Sequence, residues 1–194
     1  MRPFGWDQAI TEWVVSIRAE PWTSLWQMVT VLGDTLTLTL VVIGVFVLAW
    51  LGERIDLSVL IASSGISGYV LMIVLKHVFG RQRPPEPDRL IDVDTLSFPS
   101  GHAMLSVIVL GLTAFIAYQL YPWVRSHRAI LAVAPVLMLL IGLSRVYLGV
   151  HWMSDVVFGW FFGLIWAAVC LFGHQRAVAR FGHRPDTVPA KEKV

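Results

Sequence analysis

Three short polar segments interrupt an otherwise apolar chain of 194 residues, and they hold the side chains capable of chemistry. The first runs from Lys76 through Arg83 to Pro84, and the second is Ser97-Phe98-Pro99-Ser100-Gly101-His102. The third opens on Ser144-Arg145 and continues to His151 and Asp155. Lys76, Arg83 and Arg145 are cations beside long apolar runs, where a charge is costly unless an anion meets it. A guanidinium fork matches the oxygens of a phosphate, and a lysine adds a point charge. A helix starting after Pro99-Ser100-Gly101 would present free backbone N–H groups, and the positive end of its dipole, to the same anion. An ordinary histidine pKa of about 6.5 lets one of His102 and His151 be neutral and the other protonated near neutral pH. If the last helix begins by His151, Asp155 lies four residues on and shares its face. A carboxylate there accepts one ring N–H, which fixes the tautomer and raises the basicity of the other nitrogen.

Such groups need elements to position them, and composition says which kind. Hydrophobic residues make up 56% of the chain and charged residues 14%, against roughly 45–50% and about 25% in soluble domains. Five stretches carry no charge: 35–52, 57–75, 103–124, 129–144 and 156–173. Roughly 20 helical residues cross the ~30 Å hydrocarbon core, and helices satisfy their own backbone groups there. The fourth stretch is short, so its helix is expected to continue through Arg145 to about residue 148. The expected fold is all-α: a polytopic transmembrane bundle of five spans plus an N-terminal interfacial helix.

The interfacial helix falls within 1–33. Trp6, Ile10, Trp13, Val14 and Ile17 recur at helical spacing, with Asp7, Gln8 and Glu12 on the other faces, a pattern suited to lying at headgroup depth. Pro21 stops it, the run 22–32 is too short to span, and Asp34 is placed to cap the next helix. Residues 34–173 form the expected membrane domain and 174–194 a basic, disordered tail.

Counting crossings puts the three polar segments on one face of the membrane. Eight basic residues fall on the opposite side: Arg54, Arg125, Arg128, Arg176, Arg180, Arg184, Lys191 and Lys193. Seven share the face of the polar segments, but several of those have a chemical use. The tail is therefore expected in the cytoplasm, with the N-terminus and the polar segments outside.

Other classes fall away. A net charge of +2, widely dispersed, does not suggest a nucleic-acid partner. The single cysteine, Cys170, excludes an intrachain disulfide and a thiolate zinc cluster. Asp7, Glu12, Arg18 and Glu20 leave no apolar signal-peptide core in the first twenty residues. Glu86, Asp88, Asp92 and Asp94 lack the glycine of a calcium loop and read as a solvated acidic loop. Arg81 is expected to be an exposed loop arginine at least as readily as a phosphate contact.

Taken together, Lys-x6-Arg-Pro at 76–84, Pro-Ser-Gly-His at 99–102 and Ser-Arg-x5-His-x3-Asp at 144–155 resemble the signature of the type 2 phosphatidic acid phosphatase superfamily. The resemblance implies that His151 attacks phosphorus to form a phosphohistidine, with Asp155 orienting it. It implies that His102 protonates the leaving oxygen and then activates water. Lys76, Arg83, Ser100, the Gly101 amide and Arg145 would hold the phosphate oxygens, without metal or cofactor. The implied partners are a lipid phosphate or pyrophosphate and the bilayer, with the oligomeric state left open. Undecaprenyl pyrophosphate is the favoured substrate, then phosphatidylglycerophosphate or phosphatidate. A lipid phosphotransferase and a protein that binds or translocates lipid phosphates are the alternatives. Related bacterial proteins often have six spans, one more than is counted here.

Overall fold

The computed structural model describes residues 2–181, and every regular element among them is helical. In chain order these are α1 (Gly5–Ser16), α2 (Trp22–Val31), α3 (Thr35–Leu51), α4 (Ile55–Phe79), α5 (Gly101–Leu120), α6 (Pro122–Ser126), α7 (Val133–Tyr147) and α8 (Met153–Phe181). Short 3-10 turns at Glu86–Asp88 and Arg128–Ala132 punctuate the connections.

Four helical stretches among the described residues are long and apolar enough to cross a bilayer: Ile55–Phe79, Gly101–Leu120, Arg128–Tyr147 and Met153–Phe181. The pair α2 and α3 meets the same test jointly but is bent by 46°, giving a fifth crossing if the pair is one broken span. Leu36, Leu40, Ile66, Leu164 and Phe172 are exposed on the outside of the bundle, the surface expected where hydrocarbon is the solvent. The run from 129 extends, as its shortness requires, to Tyr147, which carries Arg145 in the last turn of α7.

α5 is the centre. Residues Ala103 to Val109 are all buried, and the helix packs against α3, α4, α7 and α8. Its approach to α8 depends on Gly159 and Gly163, one turn apart on the facing side of α8. A Cβ on Gly159 would lie 2.9 Å from the Ser100 carbonyl oxygen, and one on Gly163 would lie 2.7 Å from that of Met104. Small residues at this spacing let two membrane helices pack backbone to backbone. The contact holds the start of α5, with Ser100 and His102, against the start of α8, with Asp155.

Three expectations need correction. α1 does not keep all of its polar residues outward: Asp7 is buried with Thr11 and Val14, while Gln8 and Glu12 are exposed together with Trp6, Trp13 and Ile17. A buried partner for Asp7, described below, outweighs the amphipathic pattern. Asp34 does occupy the N-cap position of α3, but its side chain makes no capping bond. It forgoes an interaction usually worth about 1 kcal/mol for a partner elsewhere. Finally, α8 runs unbroken past residue 173 to Phe181, so the first part of the expected tail is helical. The remainder, 182–194, lies outside the described residues.

Candidate active site

The cationic residues reach one place by separate routes. Lys76 lies on the last turn of α4, which ends at Gly80, whose φ of 57° turns the chain so that the helix stops and Arg81 and Arg83 enter the bundle. Arg145 comes from the last turn of α7, and a tight turn through Gly149 (φ 70°) carries the chain to His151 just ahead of α8. Ser100 caps α5 and leaves Gly101 and His102 in its first turn. Lys76, Arg83, Gly101, His102, Arg145 and His151 all line one cavity of about 520 Å³.

Ser100 and Asp155, also expected here, stand behind the wall of that cavity. The Ser100 N–H donates to the Asp155 carbonyl at 3.0 Å, and its hydroxyl accepts from the Ala103 N–H at 3.5 Å. Ser100 therefore ties α5 to α8 instead of presenting its hydroxyl to the cavity. Asp155 is fully buried against His151.

The hydrogen bonds fix the tautomer of His151. Arg83 Nη1 is 3.1 Å from His151 Nε2, and a guanidinium only donates, so Nε2 must carry the lone pair. The ring proton then resides on Nδ1, 3.3 Å from Asp155 Oδ2. Burial, reinforced by Arg83, Lys76 and Arg145, holds the His151 pKa well below its ordinary value, so the ring is neutral at pH 7. A neutral imidazole with its lone pair on Nε2, in a residue lining the cavity, has the chemistry of a nucleophile toward phosphorus.

The cations are braced from behind. Arg83 donates to the carbonyls of Thr95 and Val150, each at 2.6 Å, and to Thr95 Oγ1 at 2.9 Å. Burial draws its pKa down to about 10, which leaves it cationic at neutral pH. Lys76 Nζ donates to the Leu96 carbonyl. Arg145 Nη1 donates to Thr30 Oγ1 at 2.7 Å, while its buried Nε has no protein partner. None of these three cations pairs with a carboxylate among the described residues. The arrangement places three cations without carboxylate partners among the described residues beside a neutral imidazole, groups that could receive an anion.

Several participants escape a motif reading. Arg81, expected at the surface, is wholly buried: Nη1 donates to Asp155 Oδ1 and Nη2 to Asp7 Oδ2, each at 2.6 Å. It belongs to the support of Asp155 and does not line the cavity. Asp7 also accepts from the Ser154 N–H at 2.9 Å, placing an anion at the N-terminus of α8. Ser97 donates its hydroxyl to Asp155 Oδ2. Asp34 Oδ1 lies 2.9 Å from His102 Nε2. Ser97 and Arg81 sit inside the recognised segments, so adjacency was their signal; Asp7, Thr30 and Asp34 had none beyond polarity in apolar surroundings.

A sequence profile of the PAP2 superfamily matches residues 56–179, most of the chain and all three motif segments. The chain belongs to the PAP2 superfamily. A crystal structure of a transmembrane PAP2 type phosphatidylglycerolphosphate phosphatase from Bacillus subtilis superposes with a TM-score of 0.83 and 29% identity, over 90% of this chain and 87% of that one. Phosphatidylglycerophosphatase B of Bacillus subtilis is 38% identical over 93 residues, 47% of this chain and 45% of that protein. Undecaprenyl-diphosphatase of Sulfolobus acidocaldarius is 34% identical over 107 residues, 50% and 48% respectively. The matched segments thus span about half the length of these two relatives. Within this PAP2 chain, Asp7, Thr30 and Asp34 all lie ahead of the profile match, so the N-terminal helices complete a site whose motifs lie elsewhere.

The buried cluster predicts unequal effects on stability. Arg81→Met strands two buried carboxylates, and breaking a buried pair costs about 3–5 kcal/mol. Asp7→Asn leaves Arg81 paired with Asp155 and should cost less. Thermal unfolding in detergent should show a fall on the order of 10 °C for Arg81→Met and a smaller one for Asp7→Asn. Equal losses would contradict this reading of the cluster.

Proposed function

We propose that this protein hydrolyses the phosphate or pyrophosphate of a membrane lipid without a metal, through a phosphohistidine on His151. The observation that carries the reading is a His151 whose Nε2 lone pair meets Arg83, in a cavity that it lines together with Lys76, Arg83, Arg145 and His102. Nε2 attacks the terminal phosphorus as its bond to the leaving oxygen breaks, and His102 gives that oxygen a proton. The leaving oxygen is the lipid alkoxide oxygen in a monoester, or the oxygen bridging the two phosphates in a pyrophosphate. Water, deprotonated by His102, then attacks the phosphohistidine, releasing phosphate and restoring both rings. Lys76, Arg83, Arg145 and the Gly101 amide stabilise the charge on the phosphoryl oxygens, which is where electrostatic preorganisation is most effective. Asp155 orients His151 through Nδ1. A phosphotransferase, with a hydroxyl in place of water, would use the same groups.

Undecaprenyl pyrophosphate is the favoured substrate, with phosphatidylglycerophosphate or phosphatidate next; the named activities of the relatives cover both chemistries. In this reading residues 34–173 are the catalytic domain, the α2–α3 pair is the first of five spans, and α1 lies at the interface with Trp6 and Trp13 toward the headgroups. The site opens on the extracytoplasmic face of the cell membrane, and the C-terminus is cytoplasmic.

Phosphate release from a panel of lipids in matched micelles tests the substrate, comparing an isoprenyl pyrophosphate with glycerophospholipid phosphates. Turnover should be fastest on the isoprenyl pyrophosphate and should persist in excess EDTA. Activity lost on chelation and restored by magnesium would contradict the mechanism.

Impermeant thiol labelling of intact cells tests sidedness. With Cys170 replaced by alanine, Pro87→Cys should react, while Ser126→Cys should react only after permeabilisation. The reverse pattern would place the site in the cytoplasm.

A further inference from the structure

The elbow between α2 and α3 lies outside the span of the family profile, residues 56–179, yet it reaches the middle of the site. Thr30, in the last turn of α2, accepts the hydrogen bond from Arg145. Gly33 sits so close to His102 that a Cβ there would be 2.8 Å from the ring carbon Cδ2 and 2.4 Å from Ile141 Cγ2. Asp34 follows, and its carboxylate turns away from the helix it could cap to meet His102 Nε2 at 2.9 Å.

We propose that Asp34 is the positioning residue of His102. It fixes the proton-transfer nitrogen of that ring and supplies the counter-charge of its protonated form. This rests on the lipid phosphatase reading above. A carboxylate accepts and does not donate, so the bond to Asp34 keeps a proton on Nε2. Among the described residues the His102 ring bonds through Nε2 alone, so Nδ1 is the nitrogen left to exchange a proton. The ring lines the same cavity as Lys76, Arg83 and Arg145, and an imidazolium among three cations needs an anion. Among the described residues Asp34 is the one carboxylate in contact with it. In the first half-reaction the Nδ1 proton passes to the lipid oxygen as the phosphorus–oxygen bond breaks and the His151–phosphorus bond forms. In the second, Nδ1 takes a proton from water as its oxygen attacks phosphorus and the His151–phosphorus bond breaks. Nε2 keeps its proton, held by Asp34, throughout.

The arrangement resembles the aspartate–histidine pairing of His151 with Asp155, but with the opposite ring nitrogen engaged. The 46° bend between α2 and α3 falls at Gly33 and Asp34, the two residues that meet His102 in the first turn of α5.

The test exploits the leaving group. An alkoxide needs a proton to depart, whereas an activated aryl oxide does not, and kcat/KM reports the steps through its departure. The substrates are phosphatidate and a nitrophenyl phosphate bearing an alkyl chain, in the same detergent. Asp34→Asn preserves size and an acceptor oxygen but removes the charge. It should lower kcat/KM for phosphatidate about 10²-fold, the usual scale of a general acid, and leave that for the aryl phosphate within about threefold of the parent. Asp34→Glu, which keeps the charge, should recover part of the loss. Asp34→Asn added to His102→Ala should cause no further loss. Equal losses on both substrates, no loss on either, or additivity with His102→Ala would each overturn the role of Asp34. A parent protein that hydrolyses neither of these substrates nor the isoprenyl pyrophosphate would overturn the phosphatase reading itself, and the role of Asp34 with it.

Discussion

Four cationic side chains, Lys76, Arg81, Arg83 and Arg145, are buried inside this bundle, and among the described residues only Arg81 of the four is paired with carboxylates. Arg81 lies between Asp7 and Asp155 as a neutralised structural unit, ringed by Phe4, Phe98 and Trp152 at 5.7–6.0 Å. Lys76, Arg83 and Arg145 are held by carbonyl and hydroxyl oxygens, which satisfy their N–H groups without cancelling their charge. That asymmetry is the constraint on which the rest depends. Burying an uncompensated charge is expensive, and it is this cost that the proposed phosphate occupant would offset. The tautomer of His151 and the position of its lone pair follow from where Arg83 stands.

Helix packing serves this arrangement. The Gly159 and Gly163 stripe brings α8 against α5 closely enough for the Ser100 N–H to bond the Asp155 carbonyl. The two histidine-bearing segments are thereby held to one another by backbone as well as by side chains. The N-terminal helices then close the assembly from the other side, through Asp7 at the start of α8, Thr30 on Arg145 and Asp34 on His102. Rigid support of this kind is what a site needs if its groups are to be placed before the substrate arrives.

Much of this was legible in the chain. Residue type and spacing were enough to bring Lys76, Arg83, His102, Arg145 and His151 together, because few chemistries justify cations beside membrane helices. The shortness of 129–144 correctly required α7 to continue through Arg145. What could not be read was partnership between distant polar residues. Asp7 fitted the polar face of an amphipathic helix, but its ion pair with Arg81, 74 residues away, draws that one side chain inward while Gln8 and Glu12 stay exposed. Asp34 fitted a helix cap by local rules, and a histidine 68 residues on outcompetes the cap. Arg81 was indistinguishable from a loop arginine because its two carboxylates lie at opposite ends of the sequence. Local pattern predicts elements well and fails where one long-range ion pair outweighs it.

The most direct measurement is the chemical identity of the covalent intermediate. His102→Ala should still accept the phosphoryl group from an activated aryl phosphate but be unable to pass it to water. After rapid quenching of that variant, about one equivalent of phosphate should be attached to protein, stable to base and labile to acid. Peptide mapping should locate it on His151, and His151→Ala should retain none. Phosphate retained by the protein when His151 is removed, or mapped to any other residue, would contradict the account.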